Sequence, residues 1–172
     1  MKEVIWVFGA SASGKETFIK HVTEDGPRKL LKRLGWENKL LACCSESLEY
    51  IGGEPSASRE RIMDRVPELL QSADVVFIKW QYVDSQANRP QRLKKKLPKI
   101  KHRIISLLVS PDELLERLPS KPLWHNYGKE RELISIELPL IAQSLRELSD
   151  FKTRFISSSK SGKYEVLKTT LV

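Results

Sequence analysis

Gly9-Ala10-Ser11-Ala12-Ser13-Gly14-Lys15 decides how this chain is read. It follows Val4-Ile5-Trp6-Val7-Phe8, a continuous apolar run of the kind that forms a strand covered on both faces. It leads into a stretch, Gly14 to about Glu24, that reads as a helix stopped by Asp25-Gly26-Pro27. Strand, glycine-bounded loop and helix are the context that a phosphate-binding loop requires. Small residues let consecutive N–H groups face one concavity, and a helix N-terminus adds about half a positive charge. Lys15 supplies a mobile ammonium for the outer phosphates. The spacing therefore predicts a phosphate site built from Gly9, Ala10, Ser11, Ala12, Ser13, Gly14, Lys15, Glu16 and Thr17.

Outward from that loop the elements alternate in type. Lys39–Cys44 reads as a second strand, and Ser45–Ser58 as a loop with at most one helical turn. Ser58 caps a helix through Ser72, with Pro67 expected to kink or divide it. Asp74–Trp80 and Ile104–Val109 are strands, and Pro90–Leu97 is a short basic helix between them. Ser110-Pro111-Asp112-Glu113 opens a helix with a cap, a proline at the first position and two acids near the positive end of the dipole. Pro119–Gly128 is a loop rich in proline and aromatics. Glu130–Leu148 places Leu133, Ile136, Leu140, Ile141, Leu145 and Leu148 on one stripe. Phe151–Ser157 is a last strand, and Lys163–Leu171 a terminal helix or strand. Alternating β and α elements of this size imply a parallel sheet wrapped by helices.

The 172 residues suit one sizeable core, so a single domain, 1–172, is expected. With 40% apolar and 30% charged residues the chain is not disordered. No apolar run approaches the ~20 residues that span a bilayer, and the short N-terminal run reads as a strand rather than a signal peptide. Cys43 and Cys44 are adjacent on a strand, point to opposite faces and give no metal spacing, which suits two thiols in a reducing cytoplasm. The net charge of +8 is uneven. Between Ser85 and Pro111 there is no acid, while Arg89, Arg92, Lys94, Lys95, Lys96, Lys99, Lys101 and Arg103 carry the whole imbalance. Residues 89–103 are therefore either a polyanion-binding patch, nucleic acid included, or a solvated face.

Two positions depart from the usual phosphate-loop pattern with opposite signs. The residue after the loop lysine, normally a Ser or Thr that touches magnesium, is Glu16; Thr17 follows. The strand Asp74–Trp80 ends in Lys79 where an acid normally holds the metal or its water. Three arrangements are open: Glu16 and Lys79 pair, since unpaired charges in a half-buried site cost several kcal/mol; Glu16 itself ligates magnesium while Lys79 meets a phosphate; or both turn to solvent.

On these residues the chain resembles the P-loop small-molecule kinases, closest to the nucleoside monophosphate kinase and shikimate/gluconate kinase group. Gly9, Gly14, Lys15 and Thr17 match the Walker A loop, and Val109-Ser-Pro-Asp-Glu-Leu-Leu-Glu-Arg117-Leu118 is similar to the passage into the mobile lid. Ser158–Val166 resembles the loop that lines the adenine pocket. The resemblance implies a three-layer α/β P-loop NTPase fold with a parallel sheet of about five strands and a small lid over 117–131. It implies ATP and magnesium as cofactors, and a nucleoside triphosphate and a small anionic or nucleoside-like acceptor as partners. It gives a lid role to Arg117, then to Lys121 and Arg131, and puts Trp124, Tyr127 and Gly128 in a mobile cover. It places the acceptor over 45–61, where Ser45, Arg59 and Arg61 are the binding candidates and a guanidinium fork suits phosphate or carboxylate. Asp84, four residues past the hydrophobic strand's end at Trp80, is the candidate base for an acceptor hydroxyl. Three readings follow: ATP-dependent phosphoryl transfer to a small acceptor, a polynucleotide end kinase or other nucleic-acid-binding P-loop protein, and a nucleotide-binding protein without kinase activity.

Overall fold

The computed structural model describes residues 1–44, 55–80, 88–120, 129–159 and 162–167. Its strands are β1 (Glu3–Phe8), β2 (Leu41–Cys43), β3 (Val75–Lys79), β4 (Lys101–Leu108), β5 (Lys152–Ser158) and β6 (Tyr164–Val166). They form one sheet in the order β2-β3-β1-β4-β5-β6, parallel except for β6, which runs antiparallel to β5. The sheet is thus one strand larger than the sequence predicts. Of the helix or strand expected over Lys163–Leu171, a strand forms at Tyr164–Val166 and folds back on β5, with Val166 opposite Ile156.

The helices are α1 (Lys15–Lys20, continued by a π-helical turn over His21–Asp25), α2 (Arg28–Leu34), α3 (Pro55–Ser72), α4 (Asn88–Lys96), α5 (Pro111–Arg117) and α6 (Glu130–Glu147). Strict alternation on the central strands sorts two cores. Val4, Trp6, Phe8, Val76, Ile78 and Ile104 face Ile62, Val66 and Leu70 of α3 and Leu93 of α4. Ile5, Val7, Val75, Phe77, Ile105 and Leu107 face Phe18 and Ile19 of α1 and Leu30, Leu31 and Leu34 of α2. A strand sandwiched in this way has no polar face, which is why β1 reads as an unbroken apolar run.

Pro67 does not divide α3, which is continuous from Pro55 to Ser72. A proline at that position removes the N–H that would engage the Met63 carbonyl four residues back. Lys96 at the end of α4 fills the gap: its Nζ donates to Met63 O at 2.9 Å and to Asp64 Oδ1 at 3.0 Å. Lys96→Ala should therefore cost about 1 kcal/mol in urea midpoint measurements. The cost should fall by more than half in a Pro67→Ala background, where the helix can supply its own donor. Equal costs in both backgrounds would refute the assignment.

His102 on β4 is buried, edge-on to Phe151 with ring centroids 6.3 Å apart. Burial first, then the Lys94 charge, pushes its pKa from 6.5 down to about 4. As pH falls between those two values the unfolded chain binds the proton before the folded one does. Stability should therefore drop over that window, by roughly 3 kcal/mol in total. Wild type and His102→Gln, unfolded in denaturant across the window, should differ in slope, the variant being flatter. Parallel profiles would contradict the assignment.

Candidate functional site

Phe8 ends β1, and the chain turns at once. Ser13 N–H donates to Ala10 O at 3.1 Å, closing a tight turn, and Phe18 N–H donates to Gly14 O at 2.8 Å as α1 begins. Gly9 cannot carry a side chain here, because a Cβ would meet Ser13 Oγ at 2.4 Å and Leu107 O at 3.3 Å. Gly14 has φ +83°, the left-handed region that favours glycine. Ala12 adopts φ 62° as well, at a cost of roughly 1 kcal/mol that a well-fixed loop absorbs. Among the described residues, no hydrogen bond engages the main-chain N–H of Ala12, Gly14, Glu16 or Thr17.

What fixes the loop is a carboxylate on α6. Glu137, 1% exposed, accepts from Ser11 N–H through Oε2 and from Ser11 Oγ through Oε1, both at 2.7 Å. Ala10 and Ala12 on either side pack with Leu114 and Leu118 and with Ile134 and Ile141 of α6. Most of the predicted stripe on α6 faces inward: Ile141 and Leu148 are buried and Leu133 and Leu145 pack against the core, but Ile136 is 53% exposed, and Ile134, Glu137 and Ser144 are buried as well. The helix turns to present Glu137 to the loop. The cue was a lone acid at apolar spacing between Ile134 and Ile141.

Cations stand on the open side. Lys15 Nζ donates to Gly9 O at 2.6 Å and Ala10 O at 2.8 Å, folded over the loop mouth, where phosphate oxygens can exchange for those carbonyls. Arg117 reaches the same place from α5. Its Nη1 lies 3.5 Å from Ala12 O, its Nη2 lies 3.4 Å from Ser158 O, and Glu113 pairs with it. The β5–β6 hairpin closes beside α1, with Tyr164 5.1 Å from Phe18 and 5.4 Å from His21 between ring centroids. Burial raises the Tyr164 pKa, opposed by the Arg117 charge.

Glu16 and Lys79 do face each other. Lys79 Nζ is 3.9 Å from Glu16 Oε2, and Lys20 Nζ is 3.3 Å from Glu16 Oε1. Lys79 sits level with Val7 across the β1–β3 ladder, at the strand end beside the loop. A magnesium ion needs unencumbered oxygen ligands. Here the Glu16 carboxylate lies between two ammonium groups, and the strand position that normally carries the acid is itself a cation. The side chains described at that position do not suit magnesium. Among the described residues no cluster of three His, Cys, Asp or Glu groups suits a metal.

The structure brings together Gly9 to Thr17, Arg117 and Lys79. Ser45, Asp84, Lys121, Trp124, Tyr127 and Gly128 lie outside the described residues, as do the side chains of Arg59 and Arg61, although both positions are on α3. Cys43 and Cys44 are not joined in a disulfide. At least half of the basic segment is engaged within the protein. Lys94 pairs with Asp150 at 2.6 Å, Lys96 holds α3, Arg103 lies 3.7 Å from Glu3, and Arg89 stacks over Trp80 at 5.9 Å. That is the behaviour of a packed face, and a nucleic-acid surface draws no support from it. No described helix is long and apolar enough to cross a membrane.

No family model matches the sequence, and no curated protein gives a significant match. Solved structures do match. A chain of the PezAT chromosomal toxin-antitoxin system of Streptococcus pneumoniae is 17% identical, with a TM-score of 0.52 over 95% of this chain and 69% of its own. A gluconokinase from Sinorhizobium meliloti 1021 is 15% identical, with a TM-score of 0.50 over 92% of this chain and 83% of its own. A sugar kinase from Janibacter sp. HTCC2649 is 11% identical, with a TM-score of 0.50 over 91% and 86%. Identities this low speak for architecture: the chain has the fold of the P-loop small-molecule kinases.

The Glu137 clamp has a measurable consequence. Glu137→Ala leaves Ser11 N–H and its hydroxyl buried without their acceptor and should cost about 3 kcal/mol in chemical denaturation. Glu137→Gln, which keeps one acceptor and offers a donor to Ser11 Oγ, should cost about 1 kcal/mol. If the two variants lose the same stability, the clamp is not what holds the loop.

Proposed function

We propose that this chain is an ATP-dependent phosphotransferase acting on a small acceptor, with the loop Gly9–Thr17 as its triphosphate site. The observation that carries the reading is the loop itself, tight and braced from outside by Glu137, with Lys15 at its mouth and Arg117 across it. The sheet order supports it. The connection from β3 to β4 passes over β1, so the loop after β1 opens at a switch point, where ligands of open α/β sheets bind.

Phosphoryl transfer needs positioning and charge neutralisation more than covalent chemistry. The loop amides would hold the phosphate chain. Lys15 would follow the outer phosphates, and Arg117 would neutralise charge developing on the transferred group. A lid over 117–131, shutting water out, fits the position of Arg117 at the end of α5. The acceptor belongs on the 45–61 side, with Ser45, Arg59 and Arg61 as contacts and Asp84 as the base that orients its hydroxyl. The solved gluconokinase and sugar kinase support a hydroxylated or anionic small molecule as the class to try first. The ion pair at Glu16 favours a second reading, a nucleotide-binding protein that does not transfer phosphate.

A panel of sugar acids, nucleosides and nucleotides, incubated with ATP in the presence and absence of magnesium, separates the two. The first reading expects ADP release above the no-acceptor background for one acceptor class, lowered about a hundredfold or more by Lys15→Ala. ATP binding without acceptor-stimulated ADP release selects the second. Failure to bind ATP overturns both.

A further inference from the structure

Resting on the phosphate-loop reading above, we propose that Lys79 is the resident cation of this site and that the chain binds nucleoside triphosphate without a divalent metal ion. In P-loop nucleotide enzymes a neutral hydroxyl after the loop lysine and a carboxylate on the neighbouring strand hold one magnesium ion. Hydroxyl, carboxylate and ion together carry one net positive charge. Glu16, Lys20 and Lys79 carry the same single positive charge with no ion added.

Position agrees with charge. Lys79 is level with Val7, and Trp80 N–H donates to Val7 O at 2.9 Å, so its strand ends in register with the strand that feeds the loop. Alternation puts Lys79 on the same sheet face as Val75 and Phe77, which pack against α1. Glu16, in the first turn of α1, holds the Lys79 ammonium beside the helix that the loop opens into. An ammonium brings three donors, so it can contact phosphate oxygens while staying beside Glu16. The Lys79 side chain is 24% exposed, open enough for a ligand oxygen to reach it. The swap is also coupled: an acid at residue 79 would face Glu16 as a like charge, whereas Lys79 faces it as an opposite one.

The test is ATP affinity of the full chain, measured by calorimetry in magnesium chloride and in EDTA at matched ionic strength. The dissociation constants should agree within about twofold, and Lys79→Met should weaken binding about tenfold in both buffers. The double variant Glu16→Ser, Lys79→Asp restores the usual ligand set and should bind ATP about tenfold more tightly with magnesium than without. Wild-type affinity that rises about tenfold or more with magnesium overturns the proposal, as does a folded Lys79→Met variant with unchanged affinity. Absence of ATP binding in either buffer removes the phosphate-loop reading itself, an outcome distinct from a metal-dependent wild type.

Discussion

A strand buried on both faces must end in a turn that leaves the sheet abruptly, and here that turn has no slack. Gly9 abuts Ser13 and the Leu107 carbonyl so closely that no side chain fits. Ala12 and Gly14 both take left-handed backbone angles, and the chain is helical by Lys15. Everything else at the site depends on this closure. It points the loop carbonyls of Gly9 and Ala10 at Lys15, and it sets the Ala12 carbonyl within reach of Arg117. The same turn delivers Ser11 to Glu137. The loop is gripped on its outer side by α5 and α6, while its inner side and α1 are left to the cations.

The electrostatics of that inner side are inverted relative to the familiar arrangement. A carboxylate stands where a hydroxyl is usual, and an ammonium where a carboxylate is usual. The Glu16–Lys79 separation of 3.9 Å is long for a salt bridge and both side chains are partly exposed, so the pair adds little to folding stability. Its significance lies in the field it sets beside the loop. Elsewhere, charges serve packing: Lys96 repairs a helix broken in hydrogen bonding by Pro67, and Glu3 on β1 is held between Lys39 and Arg103. Burial alone would raise the Glu3 pKa, but the Lys39 hydrogen bond and the two positive charges bring it below its ordinary value.

Much of this was legible in the chain because local chemistry dictated it. The apolar run Val4–Phe8, the loop glycines and the Ser110 cap, whose side chain accepts from Glu113 N–H, each depend on neighbours in sequence. The opposed departures at Glu16 and Lys79 were visible as types, although only the ladder pairing Val7 with Lys79 makes them neighbours. Three features were not legible, and each depends on distant residues. The edge strand β6 is short and only half-buried, so its pattern leaves helix and strand equally open. Pro67 reads as a helix break until Lys96, 29 positions on by sequence number, supplies the missing donor. Glu137 lies 126 residues from Ser11, and a stripe drawn from apolar residues alone passes over an acid.

The central claim is that amides in the turn and first helical turn receive phosphate while Ser11 stays bound to Glu137. Backbone amide NMR during an ATP titration tests it most directly. The account predicts progressive shifts of the Ala12, Gly14, Lys15, Glu16 and Thr17 resonances, with the Ser11 amide retaining its protection from exchange. Shifts confined to other parts of the sheet, or loss of Ser11 protection as ATP binds, would contradict it.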